Sequence, residues 1–212
     1  MSDSPTTRSV KIGEDERGGW SSDRPRRGNA PERPRDISTR CRVLRPSDRI
    51  RYSPGSLVLI LSPSAEAREA FAERLITGRG HLLSRAKIRE LLTGRVPDED
   101  LDAKTEELLL ATAKKRLEAG ETTAVTLEGL DAEERERWAR LAAEQRRPRH
   151  VILLETSKDN VGEEQRGPLN ELRTRLDGGD LGQEGIQTAL RLSPGTASEL
   201  KRIVFAPPPR ED

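Results

Sequence analysis

The stretch SLVLIL, residues 56–61, decides the fold of this 212-residue chain. An uninterrupted apolar run of this length, bounded by turn-forming residues, is typical of a strand that is buried on both faces of a parallel sheet. The tripeptide Ser-Pro-Ser follows at 62–64, and residues 65–76 have helical spacing, with Phe71 and Leu75 on one face and a serine as the candidate N-cap. The sequence therefore predicts a strand, a short turn and a helix.

The same alternation of strands and helices runs to the end of the chain. Further strands are predicted at residues 122–127 (TTAVTL), 151–155 (VILLE) and 202–206 (RIVFA), and further helices at 87–92, about 98–119, 131–147 and 168–176. Such an alternation implies right-handed crossovers and a parallel sheet covered by helices on both faces. We predict a three-layer α/β fold. Any site is expected in the loops after residues 61, 127 and 155, because ligands of such sheets bind beyond the carboxyl ends of the strands.

The predicted helices also imply positions and roles for individual side chains. The leucines expected to face the core from the helix over 98–119, on the basis of their sevenfold spacing, are Leu101, Leu108, Leu109, Leu110 and Leu117. Asp131 and Glu134 have the spacing of a capping box at the start of their helix. Pro168 is expected to open its helix, because proline is favoured at the first helical position.

The first 55 residues contain six prolines and five glycines and show no apolar periodicity, so they offer no face that could pack. Thirteen Lys and Arg side chains oppose eight carboxylates there, which leaves +5 for this segment and −4 for the remainder. We predict a disordered Arg/Pro-rich tail over 1–50, an α/β domain over 51–207 and a disordered C-terminus over 208–212. Residues 40–52 are expected to add a short strand or turn to the domain edge. The tail is either a solvated linker or an arm for phosphates or an acidic protein surface.

Composition limits the class of protein further. Hydrophobic residues make up 32% of the chain and charged residues 35%, with a net charge of +1, so the chain as a whole has no field that attracts nucleic acid or acidic lipid. One cysteine, Cys41, and two histidines exclude a disulfide framework and leave almost no ligands for a structural metal. The longest apolar run is far shorter than the ~20 residues that cross a bilayer. We therefore expect a cytoplasmic protein with no membrane partner.

The order of elements over residues 56–206 resembles the polynucleotide-kinase type of P-loop kinase, which includes zeta-toxin-like kinases. The resemblance is strongest in RELLTG at 89–94, in KRLEAGETTAVTLEGL at 115–130 and in RHVILLE at 149–155. It implies a P-loop NTPase-like fold with a GxxxxGK[ST] loop that cradles phosphates, an Asp that activates the acceptor hydroxyl, a second strand that ends in Asp, and an arginine-bearing lid.

The chain departs from the family where the phosphate loop should lie. Residues 62–69 read SPSAEARE in place of GxxxxGKS, so the implied positions of a degenerate phosphate loop are Ser62, Ser64, Ala65, Ala67, Arg68 and Glu69. Both loop glycines are replaced, by serine and alanine, and each left-handed conformation would cost a non-glycine residue about 1–2 kcal/mol. Arg68 replaces the phosphate-binding lysine, and Glu69 replaces the hydroxyl that binds magnesium. The sequence predicts a helix that begins by Ala65 or Glu66 instead of a wide anion cradle.

The other functional positions of the family also differ here. Aligning the family's arginine on Arg89 places Ala86 where the catalytic Asp belongs, and alanine cannot accept a proton. Thr126 replaces the acid at the end of the second strand, with Glu128 as a displaced substitute. Possible residual anion contacts are Arg68, Arg89 and Lys158. For Arg89, a solvated surface position is the competing interpretation.

The lid after Glu155 offers Lys158 but not the family's paired arginines. Because the cradle, the base, the acid and the lid differ together, we predict a kinase-like domain that has lost phosphoryl transfer. Its expected role is that of a binding or scaffold module for a protein partner, with no catalytic residue, no cofactor and no metal. The first alternative is a protein that binds ATP and Mg²⁺, or a kinase that phosphorylates a nucleic acid or a small-molecule hydroxyl, since a helix N-terminus attracts anions even without glycines. A weaker alternative is nucleic-acid binding through the basic tail.

Overall fold

The computed structural model describes residues 40–43, 50–76, 78, 80–157 and 160–207, all of which belong to one compact unit. Its strands are β1 (Arg40–Val43), β2 (Ile50–Tyr52), β3 (Leu57–Leu61), β4 (Leu82–Leu83), β5 (Thr123–Thr126), β6 (Arg149–Leu154), β7 (Thr188–Leu192) and β8 (Ile203–Phe205). Six of them form one sheet in the order β1-β7-β6-β3-β5-β4, and every neighbouring pair is parallel.

Helices cover both faces of this sheet. They are α1 (Ala65–Leu75), α2 (Arg85–Leu92), α3 (Leu101–Glu118), α4 (Ala132–Glu144), α5 (Glu163–Gly178) and α6 (Pro194–Glu199), with single 3₁₀ turns at Asp98–Asp100 and Asp180–Gly182. The side chains of β3 alternate between the two faces: Leu57, Leu59 and Leu61 pack with α3, α4 and α5, whereas Val58 and Ile60 pack with α1. The predicted α/β class, a parallel sheet between two layers of helices, is therefore confirmed.

Several predicted elements agree with the structure to within a few residues. The strand at 56–61 is β3, the strands at 122–127 and 151–155 are β5 and β6, and the helix over 65–76 is α1. The helix predicted over about 98–119 is α3 with the 3₁₀ turn before it, and Gly120 follows it with a φ of 76°. That conformation is one that glycine adopts without strain, so this residue suits the end of the helix.

One predicted helix start, that of α5, and one predicted capping box, that of α4, are wrong. α5 begins at Glu163, five residues before Pro168, because acidic residues in the first turn favour the helix N-terminus and the buried face continues through Leu169 and Leu172. Asp131 precedes α4 but makes no cap hydrogen bond. The Glu134 carboxylate instead accepts from the backbone N–H of Gly129 at 3.2 Å, so it serves the turn before the helix.

The leucine pattern of α3 is only partly as predicted. Its buried residues are Leu101, Thr105, Leu109, Ala113 and Leu117, which are spaced by four. Leu108 is 43% exposed and Leu110 is half-buried. A spacing of four keeps one face of a helix inward over this length, so Leu108 points away from the core, whereas Leu110 packs at its margin.

The segments before β3 and after α6 form strands, as the sequence predicts for residues 40–52 and 202–206, but these strands do not all join the main sheet. β1 is an edge strand of the main sheet, so regular structure extends into the predicted tail over 1–50. The predicted strand at 202–206 is β8, which does not join that sheet: it pairs with β2 in a separate parallel ribbon that packs against the α1 face. Most of the predicted tail and the C-terminus at 208–212 lie outside the described residues. The disorder of both segments therefore stays a prediction.

In the part of the chain that the structure covers, no helix has the length and apolar character that a bilayer span requires.

Candidate functional site at the carboxyl edge of the sheet

The connections of the sheet reverse direction beside β3. From β3 the chain continues through α1 to β4 and β5 on one side, whereas β6 and β7 lie on the other side. In open parallel sheets the crevice beyond the carboxyl ends of the strands at such a reversal is the usual place for a ligand. The turns after Leu61, Thr126 and Leu154 all end at this edge, as the sequence predicts.

The turn after β3 is short and closed by its own side chains. The N–H of Ser64 donates to Oγ of Ser62 at 3.2 Å, and Ser62 is buried. Oγ of Ser64 accepts from the N–H of Ala67 at 3.2 Å, which makes Ser64 the N-cap of α1. The helix begins at Ala65, where the sequence expects it. One of the free N–H groups at the start of α1 is thus satisfied by a hydroxyl of the chain itself.

Arg68 turns into the protein below this turn. The residue is only 5% exposed, and its Nη1 lies 3.5 Å from the carbonyl oxygen of Ser62 and 3.4 Å from that of Glu128. Its Nε lies 3.7 Å from the Glu69 carboxylate. The cation at the position of the family's lysine is therefore directed toward two backbone carbonyls and a neighbouring carboxylate.

Glu69 connects α1 to the next helix. Its carboxylate accepts from Oγ of Ser84 at 3.0 Å, and the same hydroxyl oxygen caps α2 by accepting from the N–H of Lys87. The carboxylate at the position of the family's magnesium-binding hydroxyl is thus part of a structural contact between two helices.

A chain of ion pairs continues across the edge from β5. Nε of Arg85 lies 3.2 Å from the carboxylate of Glu128, and its Nη1 lies 2.5 Å from that of Glu106. Nη2 of Arg137 lies 2.6 Å from the other oxygen of Glu106. These contacts tie the turn after β5 to α2, α3 and α4.

The cleft lined by these ion pairs is acidic. It has a volume of about 500 Å³, and its ionisable lining consists of Arg85, Arg137, Asp102, Glu106, Glu128, Asp131 and Glu134. Five carboxylates thus face two guanidinium groups. Burial raises the pKa of Glu134, and the charge of Glu106 raises it further, although the N–H of Gly129 opposes this shift. A phosphorylated or otherwise anionic substrate would meet repulsion here.

The remaining predicted positions are separated from one another. Ala86 is exposed on α2, and Thr126 is buried at the end of β5, with an Oγ1 that has no hydrogen-bond partner among the residues described. Arg89 is a half-exposed surface residue that pairs with Asp102. Lys158 lies outside the described residues. Of the three possible anion contacts, the described two are each paired within the chain.

Sequence reasoning missed an arginine pair on the other side of the edge. Glu155, directly after β6, accepts from Nε of Arg173 at 3.1 Å and from Nε of Arg191 at 2.5 Å. Burial raises the pKa of this carboxyl, but the hydrogen bonds and charges of the two arginines outweigh it and leave the pKa below its ordinary value. The only sequence signal is an acid at the end of a buried strand; its partners lie 18 and 36 residues away.

A second cleft, of about 480 Å³, opens between α1, α6 and the end of β6. Phe71 and Leu154 contribute buried apolar surface to it. Of its charged lining residues, Glu155 is held by the two arginines, and Arg74 donates to the carbonyls of Ala197 at 2.5 Å and Leu200 at 2.7 Å. Both charged groups are therefore hydrogen-bonded within the chain, although Arg74 keeps its positive charge because its acceptors are neutral carbonyls.

No group of three or more His, Cys, Asp or Glu side chains within the described ranges is arranged to hold a metal ion.

Comparison with known proteins finds likenesses among solved structures and none in sequence. No protein-family model matches the chain, and no curated protein matches it in sequence. A solved structure described as a "putative kinase" from Chloroflexus aurantiacus J-10-fl superposes with a TM-score of 0.47 and 16% sequence identity, over 68% of this chain and 87% of that one. The α/β class stated above rests on the strand order and helices of this chain and not on that likeness.

Proposed function

We propose that this is a kinase-like α/β domain that does not transfer phosphate and that serves as a binding or scaffold module for a protein partner. On this proposal the domain requires neither ATP nor Mg²⁺, and Ser62, Ser64, Ala65, Ala67, Arg68 and Glu69 are the remnant of a phosphate loop. The function then resides in the surface at the carboxyl edge of the sheet.

The single observation that carries the proposal is the position of Arg68. A phosphate cradle needs backbone N–H groups that converge on an open space and a mobile cation that reaches into it. Here α1 starts after a three-residue turn, and the one cation of the loop is buried against the carbonyls of Ser62 and Glu128. Glu66 and Glu69 lie in the first turns of the same helix and oppose a polyanion.

Thermal unfolding of the full chain with and without millimolar ATP and Mg²⁺ tests the loss of nucleotide binding. A ligand at 100 times its Kd would add about 2.7 kcal/mol to the free energy of unfolding. For a domain of this size, that corresponds to a rise in Tm of roughly 5–10 °C. We expect no rise. A rise of this size contradicts the proposal and favours the alternative of an ATP-binding protein or kinase, whose anion would lie at the N-terminus of α1.

A pair of variants locates any nucleotide that does bind. Arg68→Met removes the guanidinium at the start of α1, whereas Arg89→Met removes a surface guanidinium that pairs with Asp102. Loss of the ATP-induced rise in Arg68→Met alone would place the nucleotide at the phosphate-loop position. An equal effect in both variants, or in neither, would place it elsewhere.

The scaffold role is tested by comparing two charge reversals in the full chain. Glu128→Arg reverses a charge at the carboxyl edge of the sheet, and Glu121→Arg reverses an exposed charge before β5, at the opposite edge. Quantitative pull-downs should show proteins that are captured by the wild type and by Glu121→Arg but lost from Glu128→Arg. Identical capture by all three proteins would contradict a role for the carboxyl edge.

The charge of the first 55 residues, +5, motivates a further candidate function, the binding of nucleic acid by the tail. Fluorescence anisotropy of a labelled single strand should then give an affinity that falls steeply with salt. Replacement of Arg24, Arg26, Arg27, Arg33 and Arg35 by Gln in the full chain should abolish it. Absence of binding at low salt would rule this function out.

A further inference from the structure

Two arginines of this chain are buried to a similar degree but held very differently. Arg135 is 1% exposed and donates to both carboxylate oxygens of Glu184 at 2.7 Å. Arg68 is 5% exposed, yet its two hydrogen bonds, to carbonyls of Ser62 and Glu128, are 3.5 and 3.4 Å long and both come from one nitrogen. Its Nε has no hydrogen-bond partner in the described part of the chain, although it lies 3.7 Å from the Glu69 carboxylate.

A buried guanidinium with poorly satisfied donors is expensive to keep inside the protein. A charge is stable in the interior only when it is paired and hydrogen-bonded, and an unsatisfied buried donor forfeits its bonds to water. The burial of Arg68 is therefore less well compensated than that of Arg135, which favours a second state in which the side chain reaches solvent. Arg68 lies in the first turn of α1, close enough to the edge of the sheet for its side chain to make that exchange.

The two carbonyls that Arg68 contacts belong to different turns. Ser62 lies in the turn between β3 and α1, and Glu128 lies in the turn between β5 and α4. Glu128 also holds Arg85 through its carboxylate, so the second turn is linked to α2 as well. When the guanidinium leaves, both turns lose a contact in the same event.

We propose that Arg68 is a conformational latch that closes these two turns together and releases them together. With the latch closed, the carboxyl edge has the compact shape described above. With the latch open, the space below the turn after β3 is free and both turns are mobile. The latch builds on the proposed function, because it sets the shape of the edge that a partner would meet, but it is a property of the free protein and is measured without nucleotide or partner.

Native-state hydrogen exchange monitored by NMR on the full chain tests the latch. The N–H of Ser64, bonded to Ser62 Oγ, reports on one turn, and the N–H of Gly129, bonded to Glu134, reports on the other. We expect both to exchange through a common opening with protection factors that agree within a few-fold. This opening should not respond to low urea and should occur far more often than the opening of the β3 amides. Exchange only through global unfolding, or protection that differs by more than tenfold between the two turns, would overturn the proposal.

Arg68→Met supplies the second test, because it keeps the stem of the side chain and removes the donors. Exchange at Ser64 and Gly129 should rise by a few-fold, because only two long hydrogen bonds are lost. The matched control is Arg74→Met on the same helix, which should raise exchange at α6, whose carbonyls Arg74 binds, and leave both turns unchanged. No rise in Arg68→Met, or an equal rise in the control, would overturn the latch. If Arg68→Met does not fold, the urea dependence of amide exchange at Ser64 and Gly129 in the wild type is the test of the latch.

Discussion

The guanidinium of Arg135 on α4 and the carboxylate of Glu184, before β7, form a bidentate ion pair that is almost entirely shielded from water. Arg135 also donates to the carbonyl of Leu130, and Arg175 adds a second cation to Glu184 at 2.9 Å. The pair joins two segments that are 49 residues apart in sequence. It fixes α4 against the turn that leads into β7.

Removing one partner of this pair should destabilise the protein strongly. Arg135→Met leaves Glu184 buried without its main partner, and breaking a buried pair in this way costs about 3–5 kcal/mol. Urea unfolding followed by circular dichroism measures the change. Arg140→Met, an exposed arginine of the same helix, is the control and should change stability by less than about 0.5 kcal/mol. Equal effects of the two substitutions would show that Glu184 is satisfied without Arg135.

The stability of the domain should fall as the pH drops below about 6.5, because His150 is buried as the neutral form. Its ring stacks on Tyr52 at 4.4 Å between centroids, and its Nδ1 lies 2.8 Å from Thr188 Oγ1. Burial, and to a lesser degree the charge of Arg149, lower the pKa of His150 to about 4. The unfolded chain therefore binds a proton between pH 6.5 and 4 that the folded chain does not.

The sign follows from this difference in bound protons. Stability is full above the unfolded pKa, declines as the pH falls toward 4 and levels off below it, with a total loss of at most about 3 kcal/mol. Urea midpoints between pH 4 and 7 measure this decline. His150→Phe retains a ring against Tyr52 and should flatten this part of the profile. A profile with the same slope in the variant would assign the effect to other titrating groups. Glu155, whose pKa is lowered, contributes stability that is lost only as the pH falls below the ordinary pKa of a glutamate.

Local features of this structure could be predicted from sequence because their causes are local. The closed turn after β3 follows from a serine cap and from the absence of glycine at 62–67, and both are visible in the sequence. The direction of Arg68 could not be predicted, because one of its acceptors is the carbonyl of Glu128, 60 residues away. The partners of Glu155 are distant in the same way. Side-chain pairing of this kind depends on which strands become neighbours.

Errors in the predicted helices arose where two local signals compete. Pro168 is a signal for a helix start, but α5 continues through it because the apolar face that ends with Leu176 holds the helix on the sheet. The neighbour of a strand is also not visible in sequence. β8 resembles a strand of the main sheet in composition, but it pairs with β2 and forms a separate ribbon. Composition identifies a strand and does not identify its neighbour.

The register of α3 can be tested with two adjacent leucines. Leu109 is 2% exposed within the core, whereas Leu108 is 43% exposed. Leu109→Ala should cost about 2–5 kcal/mol, because it removes buried methyl groups and leaves a cavity. Leu108→Ala should cost less than about 1 kcal/mol, since the alanine gains helix propensity and little buried surface is lost. Chemical denaturation measures the free energy of unfolding of both variants. A similar loss of stability in both, or a larger loss in Leu108→Ala, would show that the sevenfold pattern predicted from the sequence is correct.

Two glycines provide a matched test of the packing at the amino edge of the sheet. Gly55 has a φ of 75°, and a Cβ built there would lie 2.9 Å from the carbonyl oxygen of Gly120. Gly162, before α5, has a φ of −56° and no heavy atom within 4 Å of such a Cβ. Gly55→Ala should therefore lose about 1–2 kcal/mol to backbone strain alone, and more from the contact with a backbone atom that cannot move freely. Gly162→Ala should change stability by less than about 1 kcal/mol, because alanine adopts this conformation without strain. Thermal unfolding of the two variants, compared at the same pH and salt, measures the difference. If Gly55→Ala is as stable as Gly162→Ala, the close approach of the two loops before β3 and β5 does not hold in solution.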